Sequence, residues 1–348
     1  MSYRELTVAT VNIAGGMRAG DAKSDKFKLI AETLREYNPD IISLQEVIRV
    51  PEAGRDDLKG LRDEMKGEWY SFFFPHLDSH NHSHPQKWTS PIFIDYYSKD
   101  QRIYQGTGVL VRNKKNSKDS SSILALNLWD DRKTGEHEVA GVTIPYPPTI
   151  FCGGRDTEQR TLMMIRVQIY GINTLFCCTH LSSLKEEDSL APHGEIQEKD
   201  GTKKIRKPTP ASIQLREKQT KWIIGYIKSY QKELGRSEPL ILAGDFNCEP
   251  DAKELKALRE LGLVHGHLGN TGDWKNEKGW TEAPAAPYTH RNRFHSKEAR
   301  RILIDHIFFT QAHFSIKEAY VIDFDQKGIP IKEVSDHNPV IVRLSVKG

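Results

Sequence analysis

Short apolar runs rich in β-branched residues recur along the chain: Leu6 to Ile13, Ile41 to Leu44, Thr107 to Val111, Leu162 to Ile169, Thr174 to Cys178, Leu240 to Ala243, Ile302 to Phe309 and Pro339 to Val346. Their lengths suit strands rather than helices. Helical spacing appears between some of them. Asp25 to Tyr37 groups Phe27, Ile30, Ala31 and Leu34 on one face. Asn38-Pro39 ends it, because the residue before a proline is pushed out of the α region. Ser212 to Leu234 groups Leu215, Trp222, Ile223, Tyr226 and Ile227, and Asp251 to Leu261 groups Leu255, Leu258 and Leu261. Strands and helices interleave from end to end without a linker or repeat. That pattern predicts a single α/β domain over residues 1–348, built of layered sheets.

Three stretches read as insertions into that domain. Residues near 70–100 carry His76, His80, His82 and His84 among aromatics and prolines, residues 128–158 are rich in Gly, Pro and charge, and residues 184–211 contain Lys203, Lys204, Arg206 and Lys207. The histidines read as a surface loop ahead of a transition-metal site, since alternate spacing without fixed structure is a weak ligand signal. The basic run reads as a solvated loop ahead of a phosphate grip.

Composition narrows the class. Apolar residues are 37% and charged residues 28% of 348, which fits a soluble globular chain. A net charge of +3 neither demands nor excludes nucleic acid, because a local patch matters more than the sum. Met1 to Leu6 carries no apolar leader, and no apolar run is long enough to cross a bilayer. A cytoplasmic protein is expected, with secretion left open for a chain whose signal peptide was removed. Cys152, Cys177, Cys178 and Cys248 lack CxxC spacing and read as reduced and structural. The oligomeric state leaves no mark in the sequence, and a monomer is assumed.

Costly polar groups sit at the strand ends. Asn12 lies near the end of the first run, Glu46 follows Ile41 to Gln45, and His180 follows Phe176 to Thr179. Asp245 and Asn247 follow Leu240 to Gly244, Asp305 lies within Ile302 to Ile307, and Asp336-His337 precedes the last run. One or two such groups would be caps or core hydrogen-bonding residues. This many point to one shared site at a rim of the sheets. On extended backbone Asp336 and His337 would face opposite ways, so the pair needs either a turn or two different partners. The chain has no GxSxG elbow, GxxxxGK[ST] loop or HExxH helix. Oxygen donors dominate, as a hard cation such as Mg²⁺ or Mn²⁺ prefers, and Glu46 with Asn12 would make a small protein share of its shell. The histidines then read as proton carriers or phosphate donors. Gly244 is expected to let the chain turn sharply and deliver Asp245 and Asn247.

Six segments, in order, carry a resemblance: Thr10-Val11-Asn12-Ile13, Leu44-Gln45-Glu46-Val47, Thr179-His180-Leu181, Gly244-Asp245-Phe246-Asn247, Ile304-Asp305-His306-Ile307 and Ser335-Asp336-His337. They resemble the signature blocks of the endonuclease/exonuclease/phosphatase superfamily, the DNase I-like or exonuclease III-like group. The resemblance implies an α/β fold, a four-layered αββα sandwich of two mixed β-sheets flanked by helices. It implies hydrolysis of a phosphate ester with a divalent cation, Mg²⁺ or Mn²⁺. By position Glu46 resembles the principal metal ligand, with Asn12 and Asp336 near the metal. Asp245 resembles the residue that orients or deprotonates the attacking water, and Asn247 and His180 those that hold the phosphoryl group. His337 resembles the acid–base histidine and Asp305 its partner. Arg160 resembles an arginine that contacts substrate phosphate, with a surface salt bridge as the equal alternative, and Tyr104 is a weaker candidate of that kind. His306 reads as structural.

The superfamily's substrates range from nucleic acids to sphingomyelin and inositol polyphosphates, and its catalytic blocks are nearly shared. The first expectation is a phosphodiesterase acting on DNA or RNA, resting on Lys114, Lys115, Lys118 and the 203–207 run. The alternative is a sphingomyelinase-like or other lipid or small-molecule phosphoesterase, for which Trp69, Tyr70, Phe72, Phe73 and Phe74 would be the contact cluster, though a buried strand explains them as well. An inactive binding module ranks last, since no core group is missing.

Overall fold

The computed structural model describes residues 4–14, 24–79, 99–114, 123–126, 140–145, 159–183, 195–197, 203–205, 210–266, 290–291, 301–329 and 334–347. In chain order the strands are β1 (Arg4–Asn12), β2 (Ile41–Val50), β3 (Arg55–Asp56), β4 (Trp69–Asp78), β5 (Tyr104–Arg112), β6 (Ile123–Leu126), β7 (Ala140–Ile144), β8 (Arg160–Ile169) and β9 (Ile172–His180). They continue with β10 (Glu195–Gln197), β11 (Lys203–Ile205), β12 (Leu240–Asp245), β13 (Leu263–His265), β14 (His290–Arg291), β15 (Arg301–Ile302), β16 (Asp305–Thr310), β17 (Phe314–Val321) and β18 (Val340–Val346). One seven-stranded sheet runs β17-β18-β1-β2-β5-β4 with β3 on β2, and a second runs β13-β16-β12-β9-β8-β6 with β7 on β8.

Each sheet is mixed. Its central pair is parallel, β1 with β2 and β9 with β12, and its other pairs are antiparallel. Parallel neighbours need a crossover, and helices fall in both intervals: Ser24–Glu36 between β1 and β2, and Pro210–Glu233 between β9 and β12. Three apolar layers follow. Leu6, Val8, Val109, Phe176, Ile241 and Ile307 pack between the sheets. Ala9, Val11 and Ile42 meet Ile30 and Leu34 of the first helix. Leu175 and Leu242 meet Ile223 and Ile227 of the long one. Alternate residues of one strand thus feed opposite layers, and the four-layered sandwich holds.

The expected elements are present with three corrections. The run Ile302 to Phe309 is split between β15 and β16, and Asp251 to Leu261 is a 3-10 turn, Lys253–Leu255, followed by the short helix Lys256–Glu260. The stretch 70–100 opens with β4, so its aromatics belong to a strand, and His76 is buried in it, not in a surface loop. The other two stretches contain β7 and the β10–β11 pair. His80, His82, His84, Lys115, Lys118, Cys152, Arg206 and Lys207 lie outside the described residues. Cys177, Cys178 and Cys248 are buried and free, as expected of structural thiols. Among the described residues no helix is long and apolar enough to cross a membrane.

Candidate active site

The site grows out of strand parity. On β1, Leu6 and Val8 face the inter-sheet layer, and two-residue steps carry that face through Thr10 to Asn12. Phe176 and Cys178 lead to His180 on β9, and Ile241 and Ala243 lead to Asp245 on β12. On β16, Ile307 and Phe309 share the parity of Asp305. Each inward stripe therefore ends in a polar residue at one rim. Register completes the alignment, since Asp245 pairs across the ladder with His180 on one side and with Asp305 on the other.

Two local devices finish it. Gly244 does not turn the chain as expected; it stays in β12, with φ of 153°, and a Cβ there would lie 1.9 Å from the carbonyl oxygen of Thr179. Only glycine allows β12 that close to β9. Glu46 has φ of 55° and sits in a bulge where the β2–β5 register shifts between Leu44 and Val47. An extra residue in a strand resets alternation and re-aims one side chain. Here Val47 packs on the outer layer while Glu46 reaches Asn12.

Asp245 is the hub. Its Oδ2 accepts from Asn12 Nδ2 at 3.1 Å and lies 3.4 Å from His180 Nε2 and 3.8 Å from His337 Nε2. Its Oδ1 accepts from the Asn247 backbone N–H at 2.9 Å. Asn12 Nδ2 also donates to Glu46 Oε1 at 3.1 Å, while its Oδ1 accepts from the Ala14 N–H at 2.9 Å. The amide nitrogen, not the oxygen expected of a metal ligand, thus faces both carboxylates. Asn247 Nδ2 donates to the Leu181 carbonyl at 2.9 Å, which still leaves one of its N–H groups. His337 Nδ1 is 2.8 Å from Asp305 Oδ2. Ser335 ties the bend before β18 to β1: its hydroxyl donates to the Asn12 carbonyl at 2.6 Å and accepts from the His337 N–H at 3.0 Å.

Burial grades the site. Asn12, His180, Asp245, Asp305 and His337 are buried, as is Asp336, whereas Glu46 and Asn247 are partly exposed and mark the mouth. Burial, and then the neighbouring Asp305, push the Asp245 carboxyl well above the usual range, with His337 partly offsetting them. Burial opposes a charged His337, but Asp305, Asp245 and Asp336 outweigh it and raise the imidazole to about 10. Of the pair, the histidine bonds Asp305, and the acid adds negative field that favours the charged imidazole.

Asp245, Asp305 and His337 offer atoms within 4.8 Å of one another. With His337 already bonded to Asp305, the trio reads as an acid–base group. The carboxylates as a set still suit a hard divalent cation, and Glu46 at the mouth is the accessible oxygen donor. Arg160 is buried, with Nη1 3.0 Å from His180 Nδ1, so a surface ion pair does not describe it. Tyr104 opens β5 with the Arg102 guanidinium 4.9 Å over its ring. Two features escaped sequence reasoning. His76 lies edge-on to His180, with ring centroids 6.5 Å apart. Beneath the site Thr10, Gln45, Ser43 and Cys178 form a buried polar chain, with Gln45 Nε2 donating to Ser43 Oγ at 2.9 Å and Thr10 Oγ1 to Gln45 Oε1 at 3.3 Å. Polar residues at inward parity were the available signal for the second.

A sequence model of the Endonuclease/Exonuclease/phosphatase family matches residues 9–337. No curated protein sequence matches the chain. Among solved structures, the human nocturnin catalytic domain with bound sulfate is 17% identical, aligned over 99% of this chain and 96% of that one with a TM-score of 0.59. A mannosyl-6-phosphatase of Bacteroides thetaiotaomicron is 16% identical over 97% and 99%, with a TM-score of 0.57. D. rerio TDP2 complexed with a single-stranded DNA product is 14% identical over 98% of each chain, with a TM-score of 0.53. At these identities the likeness is one of fold.

Proposed function

Because the chain belongs to the endonuclease/exonuclease/phosphatase family, we propose that this phosphoester hydrolase is a Mg²⁺- or Mn²⁺-dependent phosphodiesterase of DNA or RNA. The observation that carries the chemistry is Asp245, a buried acid of raised proton affinity, set among two amide donors and two histidines. A base works best when its affinity lies near the working pH, and burial beside Asp305 moves Asp245 that way. Asp245 orients the attacking water and accepts its proton. His180 and the free N–H of Asn247 donate to phosphoryl oxygens as charge builds there. His337, fixed through Nδ1 by Asp305, carries a proton at Nε2. Glu46 would hold the cation, with Asp336 adding field nearby, and Asn12 keeps Glu46 and Asp245 apart and aligned. A bound divalent cation supplies Lewis-acid stabilisation of the phosphoryl charge.

Nucleic acid as substrate draws support from the similar D. rerio TDP2, solved with a DNA product, and from the basic residues at 203–207 of the sequence, whereas the Lys114 ammonium is paired with buried Asp40. The similar mannosyl-6-phosphatase supports a second reading, a small phosphomonoester. The test is turnover of single-stranded DNA, plasmid DNA, RNA, sphingomyelin and a sugar phosphate, each with Mg²⁺, Mn²⁺ or EDTA. Nucleic-acid cleavage lost in EDTA is expected. Preference for the sugar phosphate or the lipid would overturn the substrate, and activity that survives EDTA would overturn the cation.

A further inference from the structure

His180 is held on three sides. Arg160 Nη1 is 3.0 Å from Nδ1, Asp245 Oδ2 is 3.4 Å from Nε2, and the His76 ring stands edge-on at 80°. A guanidinium only donates. The ring nitrogen that faces it must accept, so Nδ1 of His180 carries no proton and the ring's N–H sits on Nε2, toward Asp245. His337 is set the opposite way. Its Nδ1 faces a carboxylate, which accepts, so that nitrogen carries the proton. One histidine of the site is thus oriented by a cation and the other by an anion.

His76 arrives by a second bulge. The β4–β5 register shifts between Pro75 and Leu77, which leaves His76 as the extra residue. It lies on the opposite flank of β5 from the bulge that delivers Glu46. Gly106 of β5 pairs with Pro75 on one flank and Val47 on the other, and a Cβ there would come within 2.1 Å of the Phe74 carbonyl oxygen. The strand between the bulges is therefore built to let both neighbours close in.

We propose that Arg160 and His76 are positioning residues that hold His180 in one tautomer and one orientation, as a donor through Nε2 alone. This rests on the part given to His180 in the hydrolysis above. A donor aimed in advance at developing phosphoryl charge costs no reorganisation during the reaction, whereas a ring free to change tautomer presents a bare acceptor part of the time.

Ring-nitrogen NMR of histidine-labelled protein reads the tautomer without any substrate, so it stands apart from the functional reading. In the wild type His180 should show a bare Nδ1 and a protonated Nε2. In Arg160→Met the His180 signals should move to a tautomer mixture, with kcat at least about tenfold lower and KM within about twofold. Arg160→Lys, which keeps a donor, should recover most of that kcat. His76→Phe keeps the ring edge and should stay near wild type, while His76→Ala loses kcat. A protonated Nδ1 on wild-type His180 would overturn the proposal, as would an effect of Arg160→Met on KM alone, the mark of a direct phosphate contact. If Arg160→Met does not fold, the wild-type spectrum, Arg160→Lys and the His76 pair decide the question.

Discussion

Asp245 and Asp305 lie side by side in a ladder with little water, and folding must bring two acids together that the unfolded chain keeps apart. Burial and Asp305 disfavour the charged form of Asp245, and His337 restores only part of what they remove. Activity and stability should therefore part company here. Asp245→Asn keeps the shape and removes the charge, so kcat should fall by about 10² to 10⁴ while the melting temperature holds or rises. Steady-state kinetics beside a thermal melt checks this, and a variant within tenfold of wild-type kcat removes Asp245 from the role of base. His306, next to Asp305, behaves differently. Its Nε2–H donates to the Cys248 carbonyl at 2.7 Å, so Nδ1, 2.9 Å from His265 Nε2, accepts. Burial pushes its pKa down from 6.5 to about 4. A base with a lowered folded-state pKa contributes its full stability above the unfolded value, and that stability is lost as pH falls from about 6.5 towards 4. The shift corresponds to roughly 3 kcal/mol over that window. His306→Phe deletes the titration along with two hydrogen bonds. It should be less stable at pH 7.5, yet lose less between pH 7.5 and 5 than the wild type, as urea unfolding at the two pH values would show. Equal losses in both proteins would leave His306 without this linkage.

At the scale of strands, the site depends on backbone approach more than on any side chain beneath it. Gly244→Ala would drive a methyl group into the Thr179 carbonyl, and β12 could accept it only by parting from β9. A cost of at least about 3 kcal/mol is expected, and with it the Asp245–His180 register, so denaturation and kcat should fail together. A stable, active Gly244→Ala protein would show that the two strands have room to spare. Elements of this kind explain what could be read from the sequence. The strands that carry Asn12, His180 and Asp245 are buried on both faces over most of their length, and their apolar-rich runs announced them. β17 pairs with one neighbour, mixes buried, partly buried and exposed residues, and left no comparable run. β4 was hidden by its own bulge, which broke the alternation at His76. The helix Asp57–Glu64, capped by the Asp56 carboxylate on the Lys59 N–H at 2.9 Å, was too short for its period to register. Strand ends showed where the site residues stand. They did not show that Arg160 serves a histidine or that Asn12 turns its nitrogen to the acids, because partners across the sandwich depend on packing, not on order along the chain.

For the whole molecule, the two sheets present their parallel central pairs at one rim, so the carboxyl ends of β1, β2, β9 and β12 converge there, as ligand sites in α/β sheets commonly do. The same convergence gathers Glu46, Asp245, Asp305 and Asp336 against the buried cations of His337 and Arg160, so acids outnumber bases at the rim. Folding alone has to hold these acids together, and a divalent cation that binds only the folded state relieves them. The linkage is quantitative: ligand at a hundred times its Kd adds about 2.7 kcal/mol to unfolding. EDTA-treated protein should therefore melt several degrees higher as Mg²⁺ or Mn²⁺ is titrated in, with a dependence on cation concentration that follows binding. Glu46 decides how specific that response is. It is partly exposed, reached through a bulge, and accepts from the Asn12 amide through an oxygen that a glutamine can also offer, so Glu46→Gln should leave the cation-free protein as stable as before or slightly more so. The cation-dependent rise should shrink in that variant, and activity should fall with it. A rise of the same size in Glu46→Gln and wild type would place the cation elsewhere at the rim, most simply on Asp245 and Asp305, and would return Glu46 to a role in holding Asn12.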